Sequence, residues 1–129
     1  ELSMKVVCVI GVGLIGGSFS KDIKEHYPEV KRIGIDQNED YLKEALSLGV
    51  IEEIGRLEDV AKADLVFIAI PVDAALKVLP LVLDQVSAHA VVVDAGSTKA
   101  SLCEAVKDHP NRRNYLAAHP IAGTEFSGP

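Results

Sequence analysis

Val6-Val7-Cys8-Val9-Ile10-Gly11-Val12-Gly13-Leu14-Ile15-Gly16-Gly17-Ser18 decides how this chain is read. Five apolar, mostly β-branched residues run without a polar break, as in a parallel strand buried on both faces. The glycines then follow as G-x-G-x-x-G, and a helical pattern opens at Leu14. Placed between a strand and a helix, this spacing signifies a dinucleotide-phosphate turn. Gly11 allows the tight turn, Gly13 leaves room for a pyrophosphate against the backbone, and Gly16 allows helix and strand to pack closely. Free N–H groups at the helix N-terminus, with its partial positive charge, complete an anion site from Gly11, Val12, Gly13, Leu14, Ile15 and Gly16. The same spacing also suits a glycine-rich turn that holds no ligand. With Lys5 ahead of it, the stretch imitates a secretory signal, but four glycines interrupt the apolar run. Glu1-Leu2-Ser3 reads as an addition ahead of a natural start at Met4.

Outward from this stretch the chain alternates short β-branched runs with longer segments of helical periodicity. The strand candidates are Lys5–Ile10, Arg32–Asp36, Leu65–Ile70, Ala90–Asp94 and Tyr115–Ala118, with a weaker one near Val50–Ile54. Helices are expected over Leu14–Glu25, Glu39–Leu48, Leu57–Lys62, Asp73–Val86 and Thr98–Asp108. Asn38 suits an N-cap and Gly49 a C-terminal stop for the second, whose apolar stripe is Tyr41, Leu42, Ala45 and Leu46. Pro80 predicts a kink, or two short helices, in the fourth. The pattern gives an α/β fold: a doubly wound parallel sheet of about six main strands forming a single dinucleotide-binding domain over residues 1–129.

Composition narrows the class of function. With 13 Lys+Arg against 19 Asp+Glu the net charge is −6, which disfavours nucleic acid and anionic membranes as partners. No apolar run approaches the roughly 18 residues that cross a bilayer. Two cysteines far apart make no disulfide framework and fit a reducing, cytoplasmic setting. No metal-ligand spacing stands out. Cys8 reads as a buried, inert strand residue, Cys103 has no base beside it, and His26, His89 and His109 read as surface residues near helix ends.

In an open parallel sheet, ligands bind beyond the carboxyl ends of the strands. The second strand delivers Asp36, 25 positions after Gly11, where a carboxylate accepts hydrogen bonds from the adenosine ribose of NAD and repels the 2′-phosphate of NADP. Asp36 also suits the start of a turn. The Leu65 strand delivers Ala69, Ile70 and Pro71 over the dinucleotide. The next delivers Ser97 and Lys99, and the last delivers His119, Thr124 and Glu125. His119 is the general-base candidate, since imidazole titrates near neutrality, and it also suits a strand-end structural role. Ser97 can hydrogen-bond a substrate hydroxyl or cap a helix, and Lys99 can attract a carboxylate or simply face water.

Three segments carry a resemblance. Gly11–Ser18, then Asp94-Ala95-Gly96-Ser97-Thr98-Lys99, then His119-Pro120-Ile121-Ala122-Gly123-Thr124-Glu125-Phe126-Ser127-Gly128 resemble the prephenate dehydrogenase family, which includes arogenate and cyclohexadienyl dehydrogenases. The resemblance implies a Rossmann domain, NAD as cofactor, and the oxidative decarboxylation of prephenate to 4-hydroxyphenylpyruvate in tyrosine biosynthesis. It implies that His119 takes the proton of the ring hydroxyl and that Ser97 hydrogen-bonds the same hydroxyl. Thr124 and Glu125 would line the substrate pocket. It further implies a second, helical domain that forms a homodimer and completes the substrate site, so residues 1–129 alone are expected to be inactive. Alternatives are arogenate dehydrogenase, another NAD-dependent hydroxyacid dehydrogenase, or, in a different class, a stand-alone NAD-sensing module.

Overall fold

The computed structural model describes residues 4–95 and 99–116, with backbone only at 99–101. Six strands form one sheet: β1 (Val6–Ile10), β2 (Lys31–Ile35), β3 (Glu53–Ile54), β4 (Leu65–Ile68), β5 (Val91–Asp94) and β6 (Tyr115–Leu116). Their order is β3-β2-β1-β4-β5-β6, and every pairing is parallel. Successive crossovers run one way from β1 and then, after β3, the other way. The strand order therefore reverses between β1 and β4, where a doubly wound sheet opens its ligand crevice.

Alternation along β1 explains the two layers. Val7 and Val9 face one side with α1 (Leu14–His26) and α2 (Glu39–Ser47). Cys8 and Ile10 face the other with α3 (Val72–Gln85), α4 (Lys99–Val106) and the 3₁₀ helix Leu57–Lys62. All four are essentially buried, as the unbroken apolar run required. Burial pushes the Cys8 thiol up to about 12, with the Asp59 carboxylate adding to it, so this cysteine is inert as expected.

Three expectations are corrected. Pro80 does not divide α3 into two short helices, one of the two expected outcomes: the helix runs from Val72 to Gln85. The proline's missing N–H costs about 3 kcal/mol. Leu79, Val82 and Leu83 on the same helix are fully buried, at about 1.5–3 kcal/mol each, and that outweighs the loss. On α2 only Leu42 and Ala45 reach the core, while Tyr41 and Leu46 remain exposed. His109 is largely covered rather than superficial: its Nε2 lies 2.7 Å from Asp84 Oδ1, and its Nδ1 accepts the Asn111 N–H. The N-cap at Asn38 and the left-handed stop at Gly49 (φ 76°) are as expected.

Two buried polar devices hold the framework. Arg32 on β2 is 3% exposed and donates to the carbonyls of Gly49 and Val50 and to Glu52. It thereby fixes the return from α2 to β3. Replacing it with Met leaves the Gly49 carbonyl with only the long bond from Lys24 Nζ at 3.5 Å, while Val50 keeps the Ser20 hydroxyl and Glu52 is accessible to water. Arg32→Met is expected to cost about 2 kcal/mol in chemical denaturation, and a loss under a tenth of that would remove the role.

At the amino ends of β1 and β4, Asp64 accepts the N–H groups of Lys5 and Val6 and pairs with His89. Burial opposes its ionisation, but these bonds prevail and hold its carboxyl below the usual range. A lowered folded-state pKa stabilises the fold above the unfolded value near 4 and loses that contribution as pH falls through the folded value. Asp64→Asn is therefore expected to be less stable than wild type at pH 7, with the gap closing below about pH 4. A gap independent of pH in acid-range melting curves would sink this account.

Candidate functional site

The carboxyl edge is organised around Gly11. Its N–H donates to the Ile35 carbonyl at 2.7 Å, and its φ of 95° belongs to glycine alone. A Cβ there would press on the Ala69 carbonyl oxygen and lie 2.7 Å from Ile70 Cγ2. Gly11 therefore brings the loop after β1 against the loop after β4, at the point where strand order reverses. Ala69 N–H donates back to Ile10 at 2.7 Å, and Ala95 N–H donates to Ile68 at 2.8 Å. Ala69, Ile70 and Pro71, the residue preceding α3, follow the end of β4 at Ile68, two residues earlier than the strand expected from the sequence.

The other two fingerprint glycines differ from each other. A Cβ on Gly16 would overlap the Gly11 carbonyl oxygen and lie 3.1 Å from Val9 Cγ1, so Gly16 is required by the protein itself. A Cβ on Gly13 would meet nothing within 4 Å. The space beside Gly13 is open, so no neighbouring atom of the fold demands glycine at that position. Gly13 is the N-cap of α1, without a side-chain cap and with no acidic residue in the first turn, which leaves the first amides unserved by side chains. Leu14 and Ile15 stand out from this turn, 88% and 60% exposed.

Asp36 follows β2 directly. Its Oδ2 accepts the Val12 N–H at 2.9 Å and its Oδ1 accepts the Asn38 N–H at 2.8 Å. Beside it opens a recess of about 340 Å³ lined by Asp36, Gln37, Glu39, Leu42, Lys43, Ile54 and Gly55. Lys43, Ile54 and Gly55 were missed by sequence reasoning. Helical spacing from Glu39 could have placed Lys43 on that side, but nothing local brings in the end of β3.

On the other half of the edge, Asp94 ends β5 and is 1% exposed. The Tyr115 hydroxyl donates to Asp94 Oδ1, tying β6 to β5. Burial, then the Asp94 carboxylate, pushes the Tyr115 phenol far above its ordinary range. Neither residue was singled out for this pairing. Ser97, His119, Thr124, Glu125 and the Lys99 side chain lie outside the described residues. Among the described residues no cluster of three His, Cys, Asp or Glu could hold a metal, and no helix is long and apolar enough to cross a membrane.

A glycine turn at a helix N-terminus, a carboxylate after β2 and a strand-order reversal between β1 and β4 define a dinucleotide-binding α/β domain. Residues 19–129 match the family model for the prephenate dehydrogenase nucleotide-binding domain. The chain is 35% identical over 126 residues to prephenate dehydrogenase of Bacillus subtilis, covering 95% of this chain and 34% of that one. It is 31% identical over 127 residues to cyclohexadienyl dehydrogenase of Zymomonas mobilis, covering 97% and 43%. The structure of the Aquifex aeolicus prephenate dehydrogenase in complex with hydroxyphenyl propionate and NAD+ superposes with a TM-score of 0.79 at 30% identity, covering 96% and 44%. The chain belongs to the prephenate dehydrogenase family, in its nucleotide-binding domain. It spans between a third and a half of the length of these relatives.

Proposed function

We propose that this domain holds NAD for the oxidative decarboxylation of prephenate to 4-hydroxyphenylpyruvate, a step of tyrosine biosynthesis. The observation that carries the cofactor half is the glycine turn bonded to Asp36. Gly13 leaves the space that a pyrophosphate needs, and Asp36 presents a carboxylate where the adenosine ribose lies. Family membership carries the reaction half.

The residues fit the cofactor. The α1 amides face the phosphates. The exposed Leu14 and Ile15 give an apolar surface beside them, and the carboxylate favours NAD over its 2′-phosphorylated form. NAD would supply the hydride acceptor. His119 would take the proton of the ring hydroxyl as that carbon loses hydride, and Ser97 would hold the same oxygen. Carbon dioxide then leaves, its bonding pair entering the ring as it becomes aromatic, and the proton returns to the phenol oxygen. The chain supplies orientation and a poised base, and the gain of aromaticity drives the step. Thr124 and Glu125 would line the substrate pocket. Turnover is expected of the homodimeric protein that carries a second, helical domain, and not of residues 1–129 alone; the setting is the cytoplasm.

Nicotinamide fluorescence tests the cofactor reading on the purified protein. Saturable NADH binding with weaker NADPH binding is expected. Binding of neither, or preference for NADPH, would overturn it. Reduction of NAD+ that depends on prephenate tests the reaction.

A further inference from the structure

We infer that Asp36 is a positioning residue for the phosphate turn as well as the acceptor for the ribose, so that one carboxylate couples cofactor choice to turn geometry. The inference rests on the reading of this edge as an NAD site. Backbone engages both oxygens of Asp36: Oδ2 accepts the Val12 N–H at 2.9 Å, and Oδ1 accepts the Asn38 N–H at 2.8 Å. Val12 lies between the first two fingerprint glycines, outside any helix or strand. The amide just before it, on Gly11, is held by the Ile35 carbonyl at 2.7 Å. Two consecutive amides of the turn are thus anchored to two consecutive residues at the end of β2.

On its other side the carboxylate is tied to Asn38, whose own side chain accepts the Tyr41 N–H and caps α2. Asp36 therefore joins the turn after β1 to the start of α2. A carboxylate oxygen has more than one acceptor direction, so a ribose hydroxyl can be received without releasing Val12. The group cannot swing aside to admit a 2′-phosphate unless it lets go of the turn. Removing it frees the turn at the moment it removes the repulsion.

The test separates the two roles by ligand. NADH and an NADH analogue whose adenosine ribose lacks both hydroxyls are titrated into wild type, Asp36→Asn and Asp36→Ala. Circular dichroism at the titration temperature establishes that each variant is folded. The analogue offers the carboxylate nothing to bind. If Asp36 serves only the ribose, the analogue binds all three proteins equally, or the variants slightly better, because a negative charge near the pyrophosphate is gone. Positioning predicts the opposite sign: the analogue weakens roughly tenfold in Asp36→Ala, the size of one charge-assisted hydrogen bond.

Amide exchange at Val12 gives a second reading that needs no ligand. Protection in wild type that is lost in Asp36→Ala is expected, and reduced protection in Asp36→Asn, whose single amide oxygen can serve only one of the two N–H groups. Exchange in wild type at the free-chain rate overturns the inference even if Asp36→Ala fails to fold. Wild type that binds neither ligand overturns the site reading and the inference with it. That result is distinct from the ribose-only outcome, in which wild type binds both.

Discussion

Gly16→Ala is expected to destabilise the protein by about 3 kcal/mol, whereas Gly13→Ala is expected to leave stability within about 0.5 kcal/mol of wild type and to remove cofactor binding. The two substitutions add the same methyl group three residues apart. At Gly16 the methyl overlaps the Gly11 carbonyl oxygen, a backbone atom that cannot rotate away, with Val9 Cγ1 3.1 Å behind it. Relief requires α1 to lift from β1, which pulls Phe19 off Phe67, stacked at 4.0 Å, and strains the Ser20 hydroxyl bond to Val50. The better helix propensity of Ala returns about 1 kcal/mol at most.

At Gly13 the methyl enters open space, and φ there is −73°, not the left-handed value that would call for glycine. The space is the one assigned to the pyrophosphate, so NADH affinity should fall by more than about tenfold. Urea midpoints and NADH titrations on both variants check the pair. Gly16→Ala as stable as wild type would mean that helix and strand are not in the close contact described. Gly13→Ala with undiminished NADH affinity would move the phosphates elsewhere.

This contrast marks how far the sequence could be read. The three glycines were legible as a motif because each answers a steric demand that few other residues can meet. Which demand comes from the protein and which from a ligand was not legible in the letters, since it depends on what stands opposite each absent Cβ. Periodicity named the stripe of α2, but only Leu42 and Ala45 reach the core, because the neighbouring elements cover one part of the stripe and leave Tyr41 and Leu46 outside.

Pro80 shows a local rule outvoted by burial. A breaker signal is worth a fixed few kcal/mol, and three fully buried side chains on the same helix exceed it. His109 and Tyr115 were misread or passed over for a related reason. Their partners, Asp84 and Asp94, are 25 and 21 residues away, and only the parallel crossovers bring them together. At Asp36 the letters suggested a ribose acceptor, and the hydrogen bonds to Val12 and Asn38 add a second duty that no spacing encodes.

His119→Asn is expected to slow prephenate-dependent reduction of NAD+ by roughly 10²–10⁴-fold, measured on a protein that includes the proposed second domain. β6 pairs parallel with β5, so the chain at Leu116 is directed toward the edge that bears Gly11, Asp36 and Asp94, and His119 follows three residues later. In the proposed oxidation hydride leaves the carbon that bears the hydroxyl, and the hydroxyl proton needs an acceptor. A neutral imidazole accepts that proton near pH 7, and an amide cannot. The loss should therefore fall on kcat, with the KM for NAD+ little changed, because Gly13 and Asp36 are untouched. The pH profile separates a base from a structural histidine. Wild-type kcat/KM should rise along a basic limb as the accepting group loses its proton, and His119→Asn should lose that limb. A loss under tenfold, or a limb that survives the substitution, would assign the proton to another group.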